Sequence, residues 1–177
     1  MIRNVLSYQP ILGSNVYVDP FALVSGQVNL GKDVSIWPMA VLRGDVNKIE
    51  VGPGTNIQDL SCCHTTHDSQ FHPGGAPLII GANVTIGHKV TLHGCTIGDG
   101  CLIGIDCTVL DNAVIEPSVL LGAGSLVPPN KTLESGFLYL GRPAKKIRPL
   151  TDQEREFLKY NARHYINLKN RYLSSPE

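Results

Sequence analysis

The stretch Val84-Thr85-Ile86-Gly87-His88-Lys89-Val90-Thr91-Leu92-His93-Gly94-Cys95-Thr96-Ile97-Gly98 decides the fold. Small or branched residues (Val84, Val90, Cys95) stand two places before larger aliphatics (Ile86, Leu92, Ile97). In a strand, residues two apart share a face, so each unit reads as a short strand with one small and one larger side chain turned inward. Glycine after the aliphatic position, at Gly87 and Gly98, is expected to relieve strain where the chain turns.

The pattern runs outward in both directions. The aliphatic position recurs at Leu12, Val18, Val24, Leu30, Ile36, Leu42, Val51, Ile57 and Cys63, and again at Ile80 through Ile103, Val109, Ile115, Leu121 and Val127. A six-residue period of this kind is the signature of a parallel β-helix. An alternating βα fold would need helical stretches between strands, and none is present before residue 150. Eighteen hexads, three to a triangular turn, give about six coils. Breaks in the count then fall at corners: three extra residues between Leu42 and Val51, eleven between Cys63 and Ile80, and one fewer between Leu92 and Ile97. The long break, Thr65 to Pro77, contains Pro73, Gly74, Gly75 and Pro77, which is loop chemistry.

After Pro149 the period changes. Thr151 followed by Glu154 is a capping box, and Phe157, Leu158, Asn161, Tyr165, Leu168 and Tyr172 trace a helical stripe. The chain therefore divides into a β-helix over 1–149 and a C-terminal α-helix with its tail over 150–177, the helix lying along the prism or against a neighbour. His164 on this helix reads as a surface or packing residue.

Fifteen basic and fifteen acidic residues leave no net charge, which gives no support to a nucleic-acid or membrane partner. The start, Met1-Ile2-Arg3-Asn4, lacks the apolar core of a signal peptide, so a cytoplasmic protein is expected. Five cysteines without a secretory context point to reduced thiols. Cys95, Cys101 and Cys107 occupy the small inward position and read as core filler, with Cys63 inward and Cys62 outward.

The period also places the histidines. With inserts treated as corner loops, Leu42, Cys63 and Leu92 stack, so Arg43, His64 and His93 line one corner. Parallel strands about 4.8 Å apart let His64 and His93 converge on one ion. Ile57 and Ile86 stack likewise, which puts Gln58, Asp59 and His88 on the preceding corner. Five extended residues span about 16 Å, so one chain cannot bring His88 and His93 to the same metal. If all three bind, His88 comes from a second chain, and the repeated heterologous contact closes into a threefold ring. His67 and His72 read as solvent-exposed loop residues.

On Val41-Leu42-Arg43-Gly44-Asp45, Asn56-Ile57-Gln58-Asp59, Cys63-His64, Gly87 to Gly94 and Leu140-Gly141-Arg142-Pro143-Ala144-Lys145, the chain resembles the gamma-class carbonic anhydrases and their bacterial relatives. The resemblance implies an all-β, left-handed parallel β-helix, a homotrimer, and zinc, or else iron or cobalt, at each interface. It assigns His64 and His93 as ligands from one subunit and His88 from the next. It implies reversible hydration of carbon dioxide to bicarbonate by a metal-bound hydroxide. Gln58 matches a residue that hydrogen-bonds the bound water, and Arg43 one that pairs with Asp45 or Asp59 and orients bicarbonate. Tyr139 is a candidate for the pocket wall. Two departures stand out: the loop from Thr65 to Pro73 has no glutamate, and Leu60 stands where a glycine commonly follows the Gln-Asp pair. The same repeat serves hexapeptide acyltransferases, which need one histidine base rather than three ligands, and a metal-stabilised trimeric scaffold is the non-catalytic alternative.

Overall fold

In the computed structural model, which describes residues 1–175, the hexads wind into a three-faced left-handed β-solenoid closed by one helix. Face one stacks strands through Val24, Leu42, Cys63, Leu92, Val109 and Val127. Face two carries Leu12, Leu30, Val51, Ile80, Ile97 and Ile115, and face three Val18, Ile36, Ile57, Ile86, Ile103 and Leu121. These registers are the ones the hexad count requires. The stack runs further at both ends than the eighteen counted positions. Ile2–Arg3 pairs below Val24, and Leu133 and Tyr139 add rungs above Ile115 and Leu121.

The prism interior is mainly apolar. Leu42, Ile57, Cys63, Ile86 and Leu92 are fully buried, and so are the small partners Val34, Ala40, Val84, Val90 and Ala113. Cys95, Cys101 and Cys107 are buried and unpaired. Burial pushes the Cys101 thiol up to about 12, and Cys101 and Cys107 donate to the carbonyls of Glu116 and Gly122. They are neutral core filler, with Cys63 inward and Cys62 exposed.

The glycines after the aliphatic positions have a different reason from the one the period suggests. A Cβ on Gly52 would meet the Gly81 carbonyl carbon at 2.5 Å, because successive rungs stack backbone on backbone there. The turn's positive φ falls two residues later instead. At the corner between faces three and one it is taken by Met39 (62°), Leu60 (64°) and Lys89 (58°), where a side chain costs energy that glycine would not. This explains why glycine suits position 60.

The last rung, Phe137–Leu140, folds back on Lys145–Pro149 as an antiparallel pair and delivers the chain to the helix Asp152–Ser174. Thr151 and Glu154 form the expected capping box, and Glu154 also holds Arg148 through two oxygens at 2.7 and 2.8 Å. The helix lies over face three. Its buried residues are Leu158, Ala162 and Lys169, centred about 70° from the stripe read in the sequence, at 100° per residue, and sharing Leu158 with it. Phe157, from that stripe, is instead 47% exposed. Lys169 is fully buried, with its ammonium 2.9 Å from Asp33 and 2.7 Å from Asn170 Oδ1. Tyr165 and Tyr172 of the helix pack edge-on against Trp37, and Tyr172 also against Tyr17. Pro176 and Glu177, the end of the expected tail, lie outside the described residues.

Candidate metal centre

His64 and His93 close the face-one strands Cys62–His64 and Thr91–His93, which pair in register with His64 beside His93. Both follow buried residues, Cys63 and Leu92, so their side chains leave the prism at the corner between faces one and two. The rings lie 5.1 Å apart, and His64 Nδ1 is 3.1 Å from His93 Nε2.

The outer nitrogens are both committed. His64 Nε2 is 3.0 Å from Asp45 Oδ1, and His93 Nδ1 is 2.6 Å from Asp111 Oδ1. An ionised carboxylate only accepts, so each outer nitrogen carries its ring's proton and each inner nitrogen presents a lone pair. Two lone pairs 3.1 Å apart repel. The pair calls for a positive charge between them, from an added proton or a metal ion. Two nitrogens bound to one tetrahedral zinc at 2.0–2.1 Å stand about 3.3 Å apart, so the spacing fits an ion with little movement. A carboxylate behind each ligating imidazole is the usual outer support of such a site.

The carboxylates are themselves braced. Asp45, which partial burial alone would push up, is held below the usual carboxylate range by hydrogen bonds from His64 and Arg43. Arg43 pairs with Asp45, not with Asp59. Asp111 accepts a second bond from Thr66 Oγ1 at 2.9 Å. Sequence reading missed Asp111 and Thr66. The signal was available, since the stacking that puts His64 below His93 puts Leu110-Asp111 one rung above it.

His88 stands on the corner between faces three and one, with Nδ1 3.0 Å from Asp59 Oδ2, which leaves Nε2 as the lone-pair nitrogen. Among the described residues of one chain, no three His, Cys, Asp or Glu side chains form a group able to hold a metal. Buried Gln58 and His88 line a cavity of about 380 Å³ between face three and the helix, with Tyr165, Asn161 and Phe157 on its far wall. Gln58 Nε2 donates to Asn56 Oδ1 at 3.1 Å, so its own carbonyl oxygen is left to accept.

Tyr139 does not join these residues. It is an inward core residue three rungs above Ile86, about 14 Å away at 4.8 Å per rung, and its hydroxyl accepts the Glu134 N–H at 2.8 Å. It plugs the end of the prism instead of lining a pocket. In the long loop, His67 is exposed and His72 lies 3.1 Å from Asn112 Nδ2. Asp68 takes the Gly74 N–H at 2.7 Å, so the loop is held by its own polar groups. His164 is exposed and stacks on Tyr160.

The family described as bacterial transferase hexapeptide (six repeats) matches residues 94–129. Over 173 residues the chain is 53% identical to Protein YrdA of Escherichia coli (strain K12), spanning 98% of this chain and 94% of that protein. It is 43% identical over 167 residues to gamma carbonic anhydrase 2, mitochondrial, of Arabidopsis thaliana, spanning 94% of this chain and 60% of that one. Among solved structures, a hexapeptide transferase family protein from Anaplasma phagocytophilum superposes with a TM-score of 0.88 at 42% identity, covering 97% of both chains. A putative acetyltransferase from Bacillus cereus gives 0.90 at 34% identity, covering 97% of this chain and 95% of that one.

Proposed function

The chain belongs to the gamma-carbonic-anhydrase-like family of hexapeptide-repeat proteins, and from that membership we propose that it is a metal-dependent carbonic anhydrase working at the interfaces of a homotrimer. The observation that carries the reading is the pair of facing imidazole lone pairs at His64 and His93, each fixed from behind by a carboxylate.

In this reading His64 Nδ1 and His93 Nε2 hold the ion from one subunit and His88 Nε2 from the next. Zinc, iron or cobalt, when bound, supplies Lewis acidity that brings the pKa of water to about 7 and so offers carbon dioxide a nucleophile at neutral pH. Asp45, Asp59 and Asp111 fix which ring nitrogen carries the proton and which donates. Gln58, through its uncommitted carbonyl oxygen, accepts from the attacking water and aims its lone pair. The Arg43 guanidinium, beside Asp45 at the same corner, offers positive charge to bicarbonate.

The interface itself has support. Met39, Leu60 and Ile105 are each about half exposed on the corner that carries Asp59 and His88. Across the prism, at the His64 and His93 corner, Val46 within the strand Val41–Val51 is half exposed and Phe71 on the long loop is 88% exposed. Apolar side chains around a pair of ionic corners suit a contact between copies. Among the described residues, no helix is long and apolar enough to cross a membrane. The five unpaired thiols suit a cytoplasmic setting.

Acyl transfer is the second reading, favoured by the names of the structural neighbours. It needs one histidine base and gives no reason to aim two imidazole lone pairs at each other. Native mass and elemental analysis of the purified protein, followed by stopped-flow carbon dioxide hydration at verified metal occupancy, test the proposal. A metal-loaded trimer that hydrates carbon dioxide supports it. Full occupancy without hydration leaves a metal-stabilised scaffold, and a metal-free protein removes both.

A further inference from the structure

We propose that the groove between the helix and the third corner of the prism, the corner without metal-centre histidines, binds a phosphorylated metabolite of nucleotide size. The groove encloses about 530 Å³, within the range of small-molecule sites. It lies between faces two and three, on the opposite flank of the helix from Phe157, Asn161 and His88. It is therefore separate from the carbon dioxide site and does not rest on that assignment.

Its chemistry is two-sided. Arg155, Lys159 and Arg163 recur every four residues along one flank of the helix, which sets three cations over about 12 Å at 1.5 Å per residue. Lys159 is paired with Glu156, whereas Arg155 and Arg163 form no ion pair among the described residues. Two guanidinium groups about two helical turns apart can each make paired bonds to phosphate oxygens, which Lys cannot do. The floor between them and the prism is apolar: Leu158 and Ala162 are buried, with Ile166 beside them seated over Gly54.

The facing wall is the turn tissue of the corner, Asn83, Asp99 and Ser118. Asp99 is the one carboxylate lining the groove, and its Oδ1 is taken by the Ala82 N–H at 2.7 Å, so it braces the turn. Free phosphate would use the cations and leave the apolar floor bare. An uncharged metabolite would do the reverse. A phosphate ester carrying a flat ring uses both, with the ring on Leu158 and Ile166 or stacked on a guanidinium plane.

Titration calorimetry of the full-length protein with ADP, with inorganic phosphate and with adenosine tests this. ADP is expected to bind with a dissociation constant of roughly 100 µM or tighter at low salt, and each fragment alone at least about tenfold more weakly. Arg155→Ala and Arg163→Ala should each weaken ADP about tenfold, since each removes a charge-assisted contact from an exposed, non-packing position. Lys48→Ala, remote and exposed, should change nothing. No ADP binding at millimolar concentration, or equal weakening by Lys48→Ala and Arg163→Ala, overturns the proposal. Phosphate binding as tight as ADP overturns the assignment of the apolar floor.

Discussion

Replacing Asp111 by alanine removes the carboxylate that fixes His93 from behind. The bond is short, 2.6 Å from His93 Nδ1 to Asp111 Oδ1, and charge-assisted. Such bonds contribute about 1.5–3 kcal/mol when buried. Here the side chains are 34% and 26% exposed, so screening brings the figure to about 1–1.5 kcal/mol. That corresponds to roughly a tenfold loss in metal affinity, the lower end of the range seen when outer support of a ligating histidine is lost. The fold should survive, because neither side chain packs in the prism core. Competition against a chromophoric chelator measures the affinity, and native mass checks the assembly. Thr66→Val, which removes the second bond to Asp111 and the hydroxyl's long 3.5 Å contact with His93 Nδ1, should cause a smaller loss. An intact Asp111→Ala protein that holds its metal as tightly as the parent would refute the tautomer argument on which the site is built.

Other perturbations test other levels of the structure. Gly52→Ala places a Cβ 2.5 Å from the next rung's backbone, so it should cost about 1–3 kcal/mol and lower the melting temperature by about 2–9 °C. Leu60→Asn keeps a residue tolerant of positive φ but removes half-exposed apolar surface beside Asp59, so the chain should melt as before while trimer dissociation by analytical ultracentrifugation rises about tenfold. Asp33→Asn leaves the buried Lys169 ammonium without its carboxylate and should destabilise the protein by about 2–3 kcal/mol near neutral pH. Asp33, which partial burial alone would push up, is held below its ordinary value by hydrogen bonds from Lys169 and Asn15. Its contribution is therefore present above about pH 4 and lost as pH falls through the lower folded value, so the melting-temperature gap between parent and variant should narrow only below that point.

The sequence carried the solenoid well because its rule is local and repeated. One inward small residue and one inward aliphatic per strand are enough to set register, and register is what stacked His64 beside His93 and Asp59 beside His88. What the period could not carry was anything decided between elements. Hydrophobicity traces the helix stripe, whose Leu158, Tyr165 and Tyr172 do meet the prism, but it gives no sign that Lys169 is also buried, against Asp33. Tyr139 sits next to a conspicuous turn motif, yet its rung number places it in the core. Asp111 is within reach of the same counting, but its partner, a histidine's second nitrogen, is invisible without a tautomer argument. The interrung glycines show the same limit: their spacing is legible, but the 2.5 Å approach that requires Gly52 appears only when rungs are stacked.

Subunit complementation tests the shared-site claim most directly. His88→Ala chains lack the ligand lent to a neighbour, and His93→Ala chains lack one of the two kept at home, so each homotrimer should be nearly metal-free. Random mixed trimers restore about one interface in four, where an intact His88 meets an intact His64 and His93 pair across a heterologous contact. The account predicts that co-assembled chains regain about a quarter of the parent's metal per chain while each variant alone does not. Mixed trimers as empty as their parents, or full metal in the His88→Ala homotrimer, would contradict it.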